Sequence, residues 1–129
     1  MRIEKIIVHC TDAPGGTAAS IRDFHIHQRG WADIGYHYVI TNGNPGSGRP
    51  EEAADGVLWP GRSPLVAGAH AQGHNLNSLG VALVGTTAFT DAQIRRQSIV
   101  EFRQDGCAED IRQVWSVVRD ALEKSGPGR

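Results

Sequence analysis

Four blocks in a fixed order constrain this chain more than anything else in it. A β-branched run, Ile6-Ile7-Val8, ends in His9. The segment Ile34-Gly35-Tyr36-His37-Tyr38-Val39-Ile40 follows, then Gly68-Ala69-His70, then Asn75-Leu76-Asn77-Ser78-Leu79-Gly80. The first run gives way to Cys10-Thr11-Asp12 and Pro14-Gly15-Gly16, so it reads as a buried strand feeding a loop, with His9 at the strand end. Tyr36 to Thr41 alternate and are rich in aromatic and β-branched residues; they predict a second strand that turns at Asn42-Gly43. The stretch 44–55 holds Pro45, Gly46, Gly48 and Pro50 followed by Glu51 and Glu52, and reads as a solvated insertion in the hairpin. The returning strand is expected from Gly56 to Arg62, with Pro60 marking an edge or its end. Leu79 to Val84 is uninterruptedly apolar and suits a central strand buried on both faces.

Helical signals lie between and after these strands. Ser20 is placed to cap a helix from Ile21 that Gly30 closes, with Ile21, Phe24 and His25 on one face. Thr90-Asp91-Ala92-Gln93 opens a second helix whose apolar stripe is Ile94, Ile99, Val100 and Phe102. Ile111, Val114, Trp115, Val118 and Leu122 recur at helical steps and predict a third. The expectation is an α/β fold: a central mixed sheet of about four strands flanked by about three helices, in one domain over residues 1–129 with the insertion at about 44–55. With 13 basic and 14 acidic residues the net charge is -1, which gives no footprint for nucleic acid or an anionic membrane. Cys10 and Cys107 are too few for a disulfide framework, and no segment resembles a secretory leader or a membrane span. The chain is therefore expected to be made and kept in the cytoplasm, or to reach a cell wall with help from another protein.

The four blocks, together with Trp31-Ala32-Asp33-Ile34-Gly35 ahead of Tyr36, resemble the type 2 N-acetylmuramoyl-L-alanine amidases, the family of short phage lysozymes and animal peptidoglycan-recognition domains. The resemblance implies a zinc hydrolase, in which the metal lowers the pKa of bound water to about 7. It places His9 as the first zinc ligand. It places Tyr36 at the tetrahedral intermediate, where a phenol can donate to the developing oxyanion. Arg62 and the run from Gly68 to Asn75 are similar to the family's groove segment, so His70, Asn75 and Arg62 are expected to contact substrate. His37 points away from Tyr36 along a strand, which suits a structural or supporting role. His25 and His27 lie two apart on a helix and cannot pair on a metal.

In the family a second zinc histidine ends a later strand, and a cysteine or aspartate ligand follows shortly after. Here no histidine follows His74, and Cys107 precedes the last helix. The last family strand is thus expected to be missing, and zinc to bind only if the site is completed by His37, His70, Cys107 or another polypeptide. Hydrolysis of the N-acetylmuramoyl-L-alanine amide bond is the first functional expectation. A catalytically inactive peptidoglycan- or muropeptide-binding protein is the second, and an intracellular inhibitor or adaptor the third. A lost strand would leave an open sheet edge, through which a homodimer or a protein partner is possible.

Overall fold

The computed structural model of the protein describes residues 1–103. Over that span the chain runs β1 (Lys5–Cys10), α1 (Ala18–His27), β2 (Tyr38–Asn42), a 3-10 turn (Glu52–Ala54), β3 (Asp55–Pro60), β4 (Ser78–Leu83) and α2 (Asp91–Arg103). The helix expected across Ile111–Leu122 lies outside the described residues, as does Cys107. The described part therefore has two helices around one four-stranded sheet.

The strand order is β1-β4-β2-β3. β4 pairs in parallel with both β1 and β2, and β2 pairs antiparallel with β3, so the sheet is mixed as expected. A parallel partner needs a long crossover, which the α1 segment supplies between β1 and β2, whereas β2 and β3 need only a hairpin. The last strand among the described residues enters the middle of the sheet, where all its residues are buried, as its unbroken apolar run demands.

Alternation sorts these residues onto two faces. Leu79, Val81 and Leu83 of β4 cluster with Ile6, Val8 and Ile40 on one face. Ser78, Gly80 and Ala82 point the other way, and His9 of β1 stands opposite Ala82. On that second face Ile34, Tyr36, Val39, Ala82 and Val84 form a cluster against which Ala18 and Ile21 of α1 pack.

Helix α1 starts earlier than its sequence suggests. Thr17 is the cap, and Ser20 is its partner one turn in: the Thr17 hydroxyl accepts from Ser20 N at 3.0 Å and the Ser20 hydroxyl from Thr17 N at 2.9 Å. Helix α2 opens as predicted, with reciprocal bonds of 3.0 Å between Thr90 and Gln93. Its inward face differs from the expected stripe. Ile94 is 46% exposed, while Gln93 and Gln97 are buried. The Gln93 side-chain amide donates to the carbonyls of Ile40 at 3.1 Å and Val84 at 2.8 Å, tying β2 to the segment after β4. A buried carbonyl needs a donor, and here that need outweighs apolar periodicity. Gly56, at φ +76°, lets α2 cross close over β3: a Cβ there would meet that of Ala92 at 2.7 Å.

The insertion between β2 and β3 is a built wall. Asn42 and Asn44 side chains each accept a backbone N–H two residues on, both at 3.0 Å. Asn44 O then accepts from Gly16 N at 2.9 Å, and both asparagine amides donate to Pro14 O. The loop after β1 and the loop after β2 are thereby joined.

Candidate functional site

The second face of the sheet gathers four buried histidines: His9, His25, His37 and His70. Each comes from a different element, and each is held differently. His25 sits on the buried side of α1. Its Nδ1 accepts from Gly35 N at 2.9 Å, and its ring lies 4.7 Å from that of Trp31 and 5.6 Å from that of Tyr36. It anchors the chain just before Tyr36.

Tyr36 and His37 precede β2, so the second strand begins later than predicted. His37 is occupied at both nitrogens: Nδ1 accepts from Gly80 N at 3.0 Å, and Nε2 donates to Val66 O at 2.8 Å. That makes it a structural cross-brace between β4 and the loop before it, and leaves no nitrogen for a cation.

His70 is 1% exposed. Its Nδ1 lies 2.9 Å from Nε2 of His9, and its Nε2 lies 3.2 Å from the Ser78 hydroxyl. His70 thus meets the expected zinc ligand directly. Asn75 stands behind it, its Oδ1 accepting from the backbone N–H groups of His70 and Ala71, both at 2.8 Å. Arg62 works as a clasp, donating to the carbonyls of Ile34 at 2.9 Å, Ala67 at 3.1 Å and Asp33 at 3.3 Å. These three were read from the sequence as substrate contacts. The structure brings His70 and Asn75 together beneath the site and places Arg62 on the backbone that leads into Tyr36.

His9 is 2% exposed, and its ring lies 5.4 Å from that of Tyr36. Burial lowers its pKa to about 3. Burial, followed by the proximity of His9, His37 and Arg62, also pulls His70 well below the ordinary histidine value, and burial lowers His37 as well. At neutral pH all three are neutral imidazoles, which is the form that ligates metal. With Nε2 engaged by His70, the Nδ1 of His9 is buried without a hydrogen-bond partner. A buried orphaned lone pair is costly unless something fills it, and a zinc ion would. One donor therefore fits. Among the described residues no group of three or more His, Cys, Asp or Glu side chains is arranged to hold a metal ion.

Two hollows reach Tyr36 or His70, and another adjoins the one at Tyr36. One of about 210 Å³ is lined by Thr11, Gly15, Gly16, Ile21, Phe24 and Tyr36. A second of about 480 Å³ also reaches Gly16 and runs between the start of α1 and the insertion, past Thr17, Arg22, Asn44, Pro45 and Trp59. A third of about 410 Å³ is lined by Arg29, Trp31, Ala69, His70, Gln72 and Asn75. The sequence reading missed Ser78, and it missed the closeness of His70 to His9. A glycine inside the central strand was the available signal, because Gly80 marks a close approach by some other group. A Cβ at Gly80 would stand 2.4 Å from Cγ of His70.

Comparison with known proteins identifies the family and the fold. Residues 1–116 match the family model described as N-acetylmuramoyl-L-alanine amidase. The endolysin of Enterobacteria phage T3 is 36% identical over 84 residues, covering 64% of this chain and 48% of the phage protein. The human N-acetylmuramoyl-L-alanine amidase is 36% identical over 91 residues, covering 67% of this chain and 14% of its own. Among solved structures, a cysteine-to-serine mutant of Drosophila PGRP-LB superposes with a TM-score of 0.68 at 24% identity, covering 97% of this chain and 78% of its own. A tyrosine-to-phenylalanine mutant of the same protein, in complex with tracheal cytotoxin, gives 0.62 at 25% identity, covering 77% and 59%. The chain spans about half the length of the phage T3 and T7 endolysins.

Proposed function

Because this chain belongs to the N-acetylmuramoyl-L-alanine amidase family, we propose that residues 1–129 form a single amidase-type domain that engages peptidoglycan fragments along the hollows described above. Its reaction is hydrolysis of the amide between the lactyl group of N-acetylmuramic acid and L-alanine, with a zinc ion on His9 completed by further donors of this chain or of another polypeptide. Zinc, when bound, supplies hydroxide at neutral pH and polarises the scissile carbonyl.

The observation that carries this reading is the Nδ1 of His9, buried, neutral and without a partner, beside the Tyr36 ring. The chain's own residues would act by position. His25 and Arg62 fix the backbone that leads into Tyr36, whose phenol would donate to an oxyanion. The hollow bounded by His70 and Asn75 and the one beside Trp59 are the proposed places of contact with glycan and stem peptide. The complex of PGRP-LB with tracheal cytotoxin supports that ligand class.

Incubating the full chain with peptidoglycan, with and without a chelator, and measuring newly exposed L-alanine amino groups tests the proposal. Chelator-sensitive release is the expected result. A second reading, muropeptide binding without hydrolysis, is favoured by one observation: His37 and His70 both have their ring nitrogens engaged and are not free to complete a metal site. Calorimetric muropeptide binding with no amine release would select it.

A further inference from the structure

We propose that His70 is a positioning residue, the middle of a Ser78–His70–His9 chain that fixes His9 in a single tautomer, with the proton on Nε2 and a bare lone pair on Nδ1. The inference rests on the reading of His9 as a metal ligand, and adds how that ligand is prepared before any metal arrives.

The direction of the chain follows from its far end. The Ser78 hydroxyl has one proton and lies 2.7 Å from the carbonyl of His74, with the Asn75 carbonyl at 3.1 Å. Carbonyls only accept, so the proton goes to them, and the Ser78 oxygen is left to accept from His70 Nε2 at 3.2 Å. A neutral His70 protonated on Nε2 is bare on Nδ1. That nitrogen must then accept across the 2.9 Å contact, which puts the proton of His9 on Nε2. The other end of the chain gives the same answer independently. With the proton on Nδ1, His9 would bury an N–H donor that has no acceptor, and Ser78 would have to abandon the His74 carbonyl. Metal-binding histidines commonly have the second nitrogen fixed by such a partner, which sets both tautomer and ring orientation.

The ring of His70 is seated for this task. Gly80 and Gly68 form its socket: a Cβ at Gly80 would lie 2.4 Å from its Cγ, and one at Gly68 would lie 2.7 Å from its Cδ2. Asn75 pins the backbone from which the ring hangs. Nothing in the amidase reading by itself requires a glycine in the middle of the central strand, and the seating of His70 does.

The first test is the nitrogen spectrum of the imidazoles in chelator-treated, ¹⁵N-labelled full-length chain at neutral pH. Long-range proton–nitrogen correlations are expected to place the proton of both His9 and His70 on Nε2; a proton on Nδ1 of His9 overturns the proposal. In His70→Leu the His9 signals are expected to spread between tautomers. In His70→Asn, whose Oδ1 stands where Nδ1 stood, they are expected to return to the Nε2 form. A His9 that keeps the Nε2 proton unchanged in His70→Leu also overturns it. Zinc affinity, read by competition with a chelating dye, is expected to fall about 10–100-fold in His70→Leu and in Gly80→Ala, which evicts the ring without altering its chemistry. If the wild-type spectrum is as expected but the chain binds no zinc, the tautomer chain stands and the amidase reading fails, so the two are separable.

Discussion

The two faces of β4 are made from the same strand and treated oppositely. Toward one side it presents Leu79, Val81 and Leu83, which interlock with Ile6, Val8 and Ile40 in an all-aliphatic core. Toward the other it presents Ser78, Gly80 and Ala82, small residues that leave room for the rings of His9 and His70. Both faces are buried, so solvent does not distinguish them. Side-chain volume does. The first face spends its space on hydrophobic contact and contributes stability. The second gives up that contact to admit imidazoles, whose hydrogen bonds must then be satisfied one by one.

Acid should separate the two faces most sharply. In the chelator-treated protein, an unfolded chain protonates His9 below pH about 6.5, whereas the fold protonates it only near 3. The unfolded state therefore binds more protons in that window. The stability is fully present above pH 6.5 and is lost as pH falls toward 3, on the order of 5 kcal/mol from His9 alone, with His37 and His70 acting in the same direction. Urea midpoints measured from pH 7.5 downward should fall steeply; a flat profile would mean that these imidazoles are not buried neutral. Leu79→Ala, on the aliphatic face, should cost about 2–5 kcal/mol at any pH, because it opens a cavity and touches no titrating group. Gly80→Ala, on the other face, should cost about 1–3 kcal/mol by overpacking the His70 ring. Its pH profile should flatten if the displaced ring reaches water, which Leu79→Ala cannot mimic. Thr17→Ala removes the cap of α1, which covers the histidine face, and should cost about 1 kcal/mol in thermal unfolding with no change in pH dependence.

The legibility of the two faces in the sequence follows the same division. The aliphatic face was readable because β-branched runs encode strands through alternation, and β4 was placed in the interior from its unbroken apolar stretch. His9 and Tyr36 stand out in the sequence as candidates only through the family resemblance. The hydrogen-bond partners of the loop residues do not show there at all. Asn75, Arg62 and His70 are polar residues in loops, and nothing in local pattern says whether such a residue faces a ligand or a carbonyl from a distant part of the chain. Helix α2 makes the same point. Ile94 faces outward while Gln93 faces inward and donates to the carbonyls of Ile40 and Val84, partners brought there by strand pairing and invisible along the helix itself.

The hollows have a further property. Trp59, 44% exposed and bonded through its indole N–H to Thr41, stands in the wall of one, and Trp31 in the wall of another. Each compartment thus has an intrinsic fluorophore of its own, with separate surroundings. A fragment settling in either would report its address by which indole changes emission, without any label being attached.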